Sequence, residues 1–548
     1  MAMIIPKVGL SRFMKEGTQY FKGVDEAVLR NIDACVQLSS QIRSAYGPNG
    51  MNKMVINHIE KVFVTNDAAT ILKELEVQHP AARMIIMASE MQEKQIGDGT
   101  NTVIIFAATL LEHASDLLAM GLKPTEITHG FEMALDKALE ILPNLVAKKA
   151  DNLHDVKAVE SYLKSSVMSK QFDNVETITE LVAKACVQTV PKNITNFNVD
   201  NIRVSKILGS GVHSSRVMNG MVFQRGVEGE IKEVKNARIA VFACPFDITQ
   251  TETKGTVKME TADELMSFST GEEAEIEAIV SALAKNGVTV VVAAGKFGDL
   301  YLHFLNKYKI MAVRLTSKFD LRRLCRTTGA QAQARVCAPT VKFLGDCDRV
   351  FLEEIGDTQV VVFDKYSERG YVATIIVRGS SHSRMDDVER AIDDAVNTYK
   401  ALTRDPRLLA GAGAVEIELA RQVESYGEKC AGLEQYSIKK FAQALEVFPK
   451  QIANNAGLKA SEMLSKLYAE HEEGAKNAGI NILTGEVTDA IEAGIYDLYS
   501  SKLLALKLAT NAAVTVLNVD QIIMSKQVSG GPNPRGPKAQ DDDDNQMV

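Results

Sequence analysis

Ile239-Ala-Val-Phe-Ala-Cys244 and Val288-Thr-Val-Val-Val292 are short, apolar, β-branched runs. Between them, Glu272–Lys285 places Ile276, Ile279, Val280 and Leu283 at i, i+3, i+4 and i+7. A strand, an amphipathic helix and a second strand mark an α/β unit. The runs Ile310–Leu315, Val360–Phe363 and Val372–Val377 extend it. Working outward, both flanks change character. From about residue 22 to 150 the pattern is helical, with long runs at Ala82–Gln95 and Asn101–Met120. The second run is apolar on most sides (Val103, Ile104, Ile105, Phe106, Leu110, Leu111), as in a helix buried inside a bundle. From about 383 the chain is helical again, and Met385, Val388, Ile392, Ala395, Val396 and Tyr399 form one stripe. This continues to about 515, where VTVLNVDQIIM reads as a strand or two. The order helical, α/β, helical predicts a mixed α and α/β chain. An α/β domain is inserted into a helical domain whose two halves meet. At 548 residues two to four domains are expected. Beyond about 528, the Gly/Pro-rich and then acidic SGGPNPRGPKAQDDDDNQMV reads as a disordered tail.

Composition excludes several classes. The chain is 46% apolar and 24% charged, the proportions of a soluble globular protein. Lys plus Arg number 62 against 70 Asp plus Glu, a net charge of −8, which opposes a nucleic-acid backbone as main partner. No run of about 18 apolar residues predicts a membrane span, and MAMIIPKVGLSRFMKEG lacks the pattern of a signal peptide. Seven scattered cysteines without a C-x-x-C predict neither a disulfide framework nor a zinc site, and fit a reducing, cytoplasmic setting. The nine histidines form no i, i+4 pair and no cluster at metal spacing.

The chemistry-bearing motifs are glycine-rich. Walker A is absent, and Gly209-Ser-Gly211 has Ser214 where a dinucleotide fingerprint needs its third glycine, so it reads as a hinge or turn. Gly97-Asp98-Gly99-Thr100-Asn101-Thr102 lies between two long helices. Two glycines let the backbone approach a ligand, the helix start binds anions, and Asp98 admits a phosphate only through a hard cation. On spacing alone it is also an interhelical turn with Asp as a cap. Tyr46-Gly47-Pro48-Asn49-Gly50 and Ala410-Gly411-Ala412-Gly413-Ala414 are each a turn or helix start. Asp67 reads equally as a helix N-cap, and Asp394, beside its helix's apolar stripe, as a solvated carboxylate. The residues alone lead to a candidate Mg²⁺–nucleotide site drawn from both helical flanks.

Taken as an ordered set, YGPNGMNKMV, VTNDAATIL, QIGDGTN, SSVMSKQ, AGAGAVEIELA and AGIYD resemble the group II chaperonins. LEVQHPAA and FNVDNIRV are similar to the eukaryotic cytosolic chaperonin, TRiC/CCT. The resemblance implies an equatorial ATP-binding domain (1–148 and 406–527), an intermediate hinge domain (149–216 and 372–405), an apical client-binding domain (217–371) and the tail (528–548). It implies an ATPase that uses ATP and Mg²⁺ to fold cytosolic proteins such as actin and tubulin. Its partners would be the other subunits of a hetero-oligomeric double ring and unfolded clients, with no nucleic acid and no membrane. Asp98 is then the Mg²⁺ ligand. Tyr46, Gly47 and Pro48 belong to the nucleotide loop, and Gly99, Thr100, Asn101 and Thr102 hold phosphates. Asp67 and Asp394 position and activate the attacking water. Met168, Ser169, Lys170 and Gln171 sense the γ-phosphate, Gly411 lines the pocket and Asp497 bonds the ribose. Glu252–Lys285 matches the helical protrusion of the lid, while a plain helix packed on the apical sheet accounts for part of it. Asn49, Ala68, Asn101 and Ala412 depart from the residues many relatives carry. A structural ring subunit with little ATP turnover is therefore the alternative function.

Overall fold

A computed structural model describes residues 19–20, 24–247, 261–365, 372–520 and 523–524. Its centre is the helix Thr100–Ala119, which carries no charge before Glu112 and buries Val103 to Leu111 on every side. By length and composition this helix could cross a membrane. Here it is the axis of a bundle, surrounded by helices Val24–Arg43, Pro80–Gln95, Glu434–Leu445 and Tyr499–Leu517. Phe106 meets Phe441 edge-on, with ring centroids 5.3 Å apart, and lies 5.9 Å from Phe448. The two helical flanks therefore share one core. A three-stranded antiparallel sheet ties them again, with Arg407–Ala410 between Val146–Lys149 and Tyr496–Leu498. Gln19 pairs with Met524 and Tyr20 with Ile523.

A second core forms where the flanks lead into the middle. Helices Val156–Met168, Val175–Thr189 and His382–Arg404 cover a sheet of Ile202–Leu208, Ala373–Gly379 and Arg216–Asn219. The whole predicted stripe of the His382 helix, Met385 to Tyr399, is buried in it.

The middle is a six-stranded sheet in the order Met311–Arg314, Val290–Ala293, Glu233–Phe242, Gly345–Ile355, Thr358–Asp364, Met221–Phe223. Its first three strands are parallel. Val290 and Val292 face the helix Lys318–Thr328, whereas Val291 and Ala293 face helices Ala262–Lys285 and Asp299–Lys307. Covering on both faces is why these strands read as unbroken apolar runs.

Several local expectations change. Val372–Val377 is a strand, but it joins the small sheet of the second core and not the six-stranded one. Gly345–Ile355 is a strand despite its charges, because its neighbours on both sides supply the ladder. The first flank contains a hairpin, Lys53–Ile56 with Val62–Thr65. The second flank is interrupted by strands at 407–410, 478–481, 486–489 and 496–498. In VTVLNVDQIIM the helix runs on to Leu517, and among the described residues only Ile523–Met524 is a strand. Val516 and Leu517 are buried there, and tertiary packing overrides β-branched propensity. Of the expected protrusion, 252–260 lies outside the described residues. Ala262–Lys285 is one helix whose later turns pack Ile276, Val280 and Leu283 onto the sheet. The expected tail also lies outside the described residues.

Candidate functional site

The turn between helices Pro80–Gln95 and Thr100–Ala119 needs its glycines. Gly97 and Gly99 have φ of +87° and +84°, and a Cβ on Gly97 would sit 2.5 Å from the Asn397 side chain. Gln92 Nε2 donates to the Asp98 carbonyl at 2.9 Å. The Asp98 carboxylate accepts the Gly99 N–H at 2.7 Å and the Ser166 hydroxyl at 3.3 Å. Thr398 donates in turn to Ser166 at 3.2 Å. Asp98 is thus held from the bundle and from two helices of the second core.

This turn lines a cavity of about 580 Å³. Tyr46, Gly47, Pro48 and Asp98 to Thr102 come from the first flank, and Met168, Ser169 and Lys170 from the end of the Val156 helix. Ala412, Gly413, Asp497, Ser501 and Lys502 come from the second flank. Gly411 sits one layer back, its N–H donating to the Ile495 carbonyl at 3.0 Å. A Cβ there would lie 2.8 Å from Ile495 Cγ2, so Ala412 and Gly413 form the wall instead. Ala412 has φ of +58°, a left-handed backbone with a side chain on it. Gln171 turns away and donates to the Asp387 carboxylate. Asn101 braces the neighbouring loop, accepting the Ala68 N–H at 2.9 Å and donating to the Asn66 carbonyl at 3.3 Å.

Asp67 and Asp394 stand behind Lys170, whose ammonium lies 2.8 Å from Asp67 and 3.2 Å from Asp394. Asp67 is also the N-cap of helix Ala68–Glu74, accepting the Thr70 N–H at 3.0 Å and the Thr70 and Thr100 hydroxyls. The N-cap reading of Asp67 is thus met, and the same carboxylate also pairs with Lys170. Asp394 is not a solvated surface carboxylate: its side chain is 17% exposed. Burial disfavours the Asp67 charge, but Lys170 and Thr70 overcome it and hold its carboxyl below the usual range. Burial, reinforced by the charges of Asp67 and Asp98, pushes Asp394 well above that range despite Lys170. Burial also raises Asp98, with Asp497 adding to it and Lys170 opposing. Lys170 remains protonated because the three carboxylates outweigh its own desolvation.

A half-buried carboxylate with raised proton affinity, turned into a cavity and, among the described residues, in no ion pair, fits a hard divalent ion. Among the described residues no group of three or more His, Cys, Asp or Glu could cage a metal. A single carboxylate suits Mg²⁺, which fills its shell with phosphate oxygens and water. Pattern reading missed Ser166, Thr398, Asp387, Glu416 and Lys502. Asp387, Asp394 and Thr398 follow helical spacing on the His382 helix (i, i+7, i+11), a polar line that could have flagged two of them. Lys502 and Glu416 leave no such trace.

Residues 38–527 match the TCP-1/cpn60 chaperonin family. The chain belongs to that family and has the chaperonin fold. Over all 548 residues it is 71% identical to T-complex protein 1 subunit theta of Caenorhabditis elegans, 70% to that of Caenorhabditis briggsae and 58% to that of Homo sapiens. In each case both chains are covered completely. The resemblance carried by the sequence motifs is thus one of family.

Proposed function

We propose that the chain is an ATP-hydrolysing subunit of a hetero-oligomeric, double-ring cytosolic chaperonin of the TRiC/CCT type, acting on unfolded proteins such as actin and tubulin. In this reading the bundle is the equatorial ATP-binding domain, the second core the intermediate hinge and the six-stranded sheet the apical client-binding domain. The observation that carries the ATPase reading is that Asp98, Lys170 and the Gly99–Thr102 helix start line one cavity, with Asp67 and Asp394 paired to Lys170 behind it.

Phosphoryl transfer demands positioning and charge neutralisation more than covalent chemistry. Mg²⁺ bound at Asp98 would neutralise phosphate charge. The backbone N–H groups and hydroxyls of Gly99, Thr100 and Thr102 would cradle phosphate oxygens at the helix N-terminus. Asp497 would take the ribose. A terminal phosphate arriving here competes with Asp67 and Asp394 for the Lys170 ammonium, and its gain frees the two carboxylates to orient water. The high proton affinity of Asp394 suits the group that accepts the water's proton. Lys170 follows Ser169, the C-cap of helix Val156–Met168, so a change of partner there is felt directly by the hinge.

The test is site-resolved. Nucleotide trapped on this subunit in the assembled ring should convert from ATP to ADP, and Asp98→Ala should weaken Mg²⁺-ATP binding. If the wild-type site binds ATP and never forms ADP, the subunit is a structural one. A native protein that runs only as a 59.8 kDa monomer on sizing would sink the ring assignment.

A further inference from the structure

The cavity contains a second buried cation that this mechanism leaves unused. Lys502, in the first turn of helix Tyr499–Leu517, lines the cavity with its side chain 16% exposed. Its ammonium is paired with two carboxylates, Glu416 behind it and Asp497 beside it, the latter at 3.1 Å. Glu416 is 3% exposed. One of its oxygens accepts from Lys502, while Oε2 has no hydrogen-bond partner among the described residues. A carboxylate this buried is withdrawn from bulk solvent, so Lys502 is its counter-ion and is held in place by it. Asp497 differs: it faces the cavity with its side chain 29% exposed. Lys502 engages its Oδ2, and a carboxylate offers about four lone-pair positions, so acceptor capacity remains on the cavity side.

The geometry points to Lys502 as a positioning residue for sugar recognition. Clamped by Glu416, it fixes the Asp497 carboxylate in the orientation that accepts from a ribose hydroxyl pair, and thereby sets the preference for ribonucleotides over deoxyribonucleotides. Without Lys502, an aspartate at the rim of an open cavity turns to solvent, and the sugar hydroxyls gain nothing over a hydrogen atom. The assignment rests on the reading of Asp497 as the ribose partner, which comes from the family match.

The experiment measures the affinity of the full-length chain for Mg²⁺-ATP, Mg²⁺-2′-deoxy-ATP and Mg²⁺-3′-deoxy-ATP by calorimetry. Lys502→Met alone strands two carboxylates and invites unfolding. The charge-conserving double variant Lys502→Met/Glu416→Gln therefore carries the test, with Lys502→Arg as the conservative variant and Asp497→Asn as control. A charge-assisted hydrogen bond to the hydroxyls gives the wild type a ribose preference of about tenfold or more. In the double variant that ratio should fall close to one while affinity for the deoxynucleotides stays within about threefold, and Lys502→Arg should retain most of it. If the double variant keeps the wild-type ratio while Asp497→Asn loses it, Lys502 has no such role and Asp497 stands. If Asp497→Asn keeps the ratio, or the wild type has none, the reading of Asp497 fails and takes the proposal with it.

Discussion

At the residue scale the contrast between Asp67 and Asp394 is set by surroundings and not by side-chain type. Asp67 has hydrogen-bond donors on several sides and stays ionised. Asp394 shares the same ammonium with fewer compensations, so it holds a proton more readily. Asp394→Asn should bind Mg²⁺-ATP almost normally yet slow hydrolysis at this site by about 10²–10⁴-fold, the usual contribution of such a group. The fraction of trapped ADP against time checks this, and ADP formed at the wild-type rate would remove Asp394 from the chemistry. Ala412 presents a different local problem. Its φ of +58° costs an L-residue about 1–2 kcal/mol, whereas glycine loses about 0.4–1 kcal/mol of unfolded-state advantage. Ala412→Gly should therefore stabilise the chain by about 0.5–1 kcal/mol, seen as a higher urea midpoint. A lower midpoint would mean that the methyl's packing outweighs the backbone strain.

At the element scale, helices Ala414–Lys429 and Ala460–Glu472 are tied by a fully buried pair. His471 Nδ1 lies 3.1 Å from Glu418 Oε2, and Nε2 lies 3.0 Å from the Ala478 carbonyl. Burial disfavours the Glu418 charge, but His471, Arg421 and Gln422 hold its carboxyl down to about 2, against an ordinary 4.5. A depressed carboxyl contributes stability above its unfolded value and loses it as the pH falls through its folded one. The gap in urea midpoint between wild type and Glu418→Gln should therefore be full above about pH 4.5 and close toward about pH 2. A gap independent of pH would mean that the carboxylate contributes by shape alone. Such pairs explain what the sequence could and could not disclose. Periodicity gave the Thr100 and His382 helices because apolar spacing is a local property. Glycines and Asp98 announced the turn before the Thr100 helix because φ > 0 and a carboxylate between glycines are local too. Glu418 with His471, Glu416 with Lys502 and Ser166 with Thr398 are pairings across 53, 86 and 232 residues, and no local pattern records them. Gly345–Ile355 hid for the same reason: its strand character comes from its neighbours.

At the scale of the whole molecule, the chain Thr398–Ser166–Asp98 runs from the second core into the bundle. In the proposed function, a nucleotide bound beside Asp98 should therefore slow amide exchange in helices Val156–Met168 and His382–Arg404 as well as in the Gly97–Thr100 turn. In Ser166→Ala/Thr398→Val the turn should still be protected and the two helices much less so. A hydrogen bond to a charged group contributes about 1.5–3 kcal/mol, enough to change exchange by tenfold or more. Equal protection in wild type and variant would show that the coupling runs elsewhere. The shared core of the two flanks has a further consequence during synthesis. On the ribosome, Phe106 emerges hundreds of residues before Phe441 and Phe448 can reach it, while the six-stranded middle is completed from a continuous stretch of chain. The inserted sheet should thus become protease-resistant on stalled nascent chains first, and the segment synthesised earliest should be among the last to be locked. Until Tyr499–Leu517 leaves the exit tunnel, the most apolar helix of this folding machine is itself a candidate client.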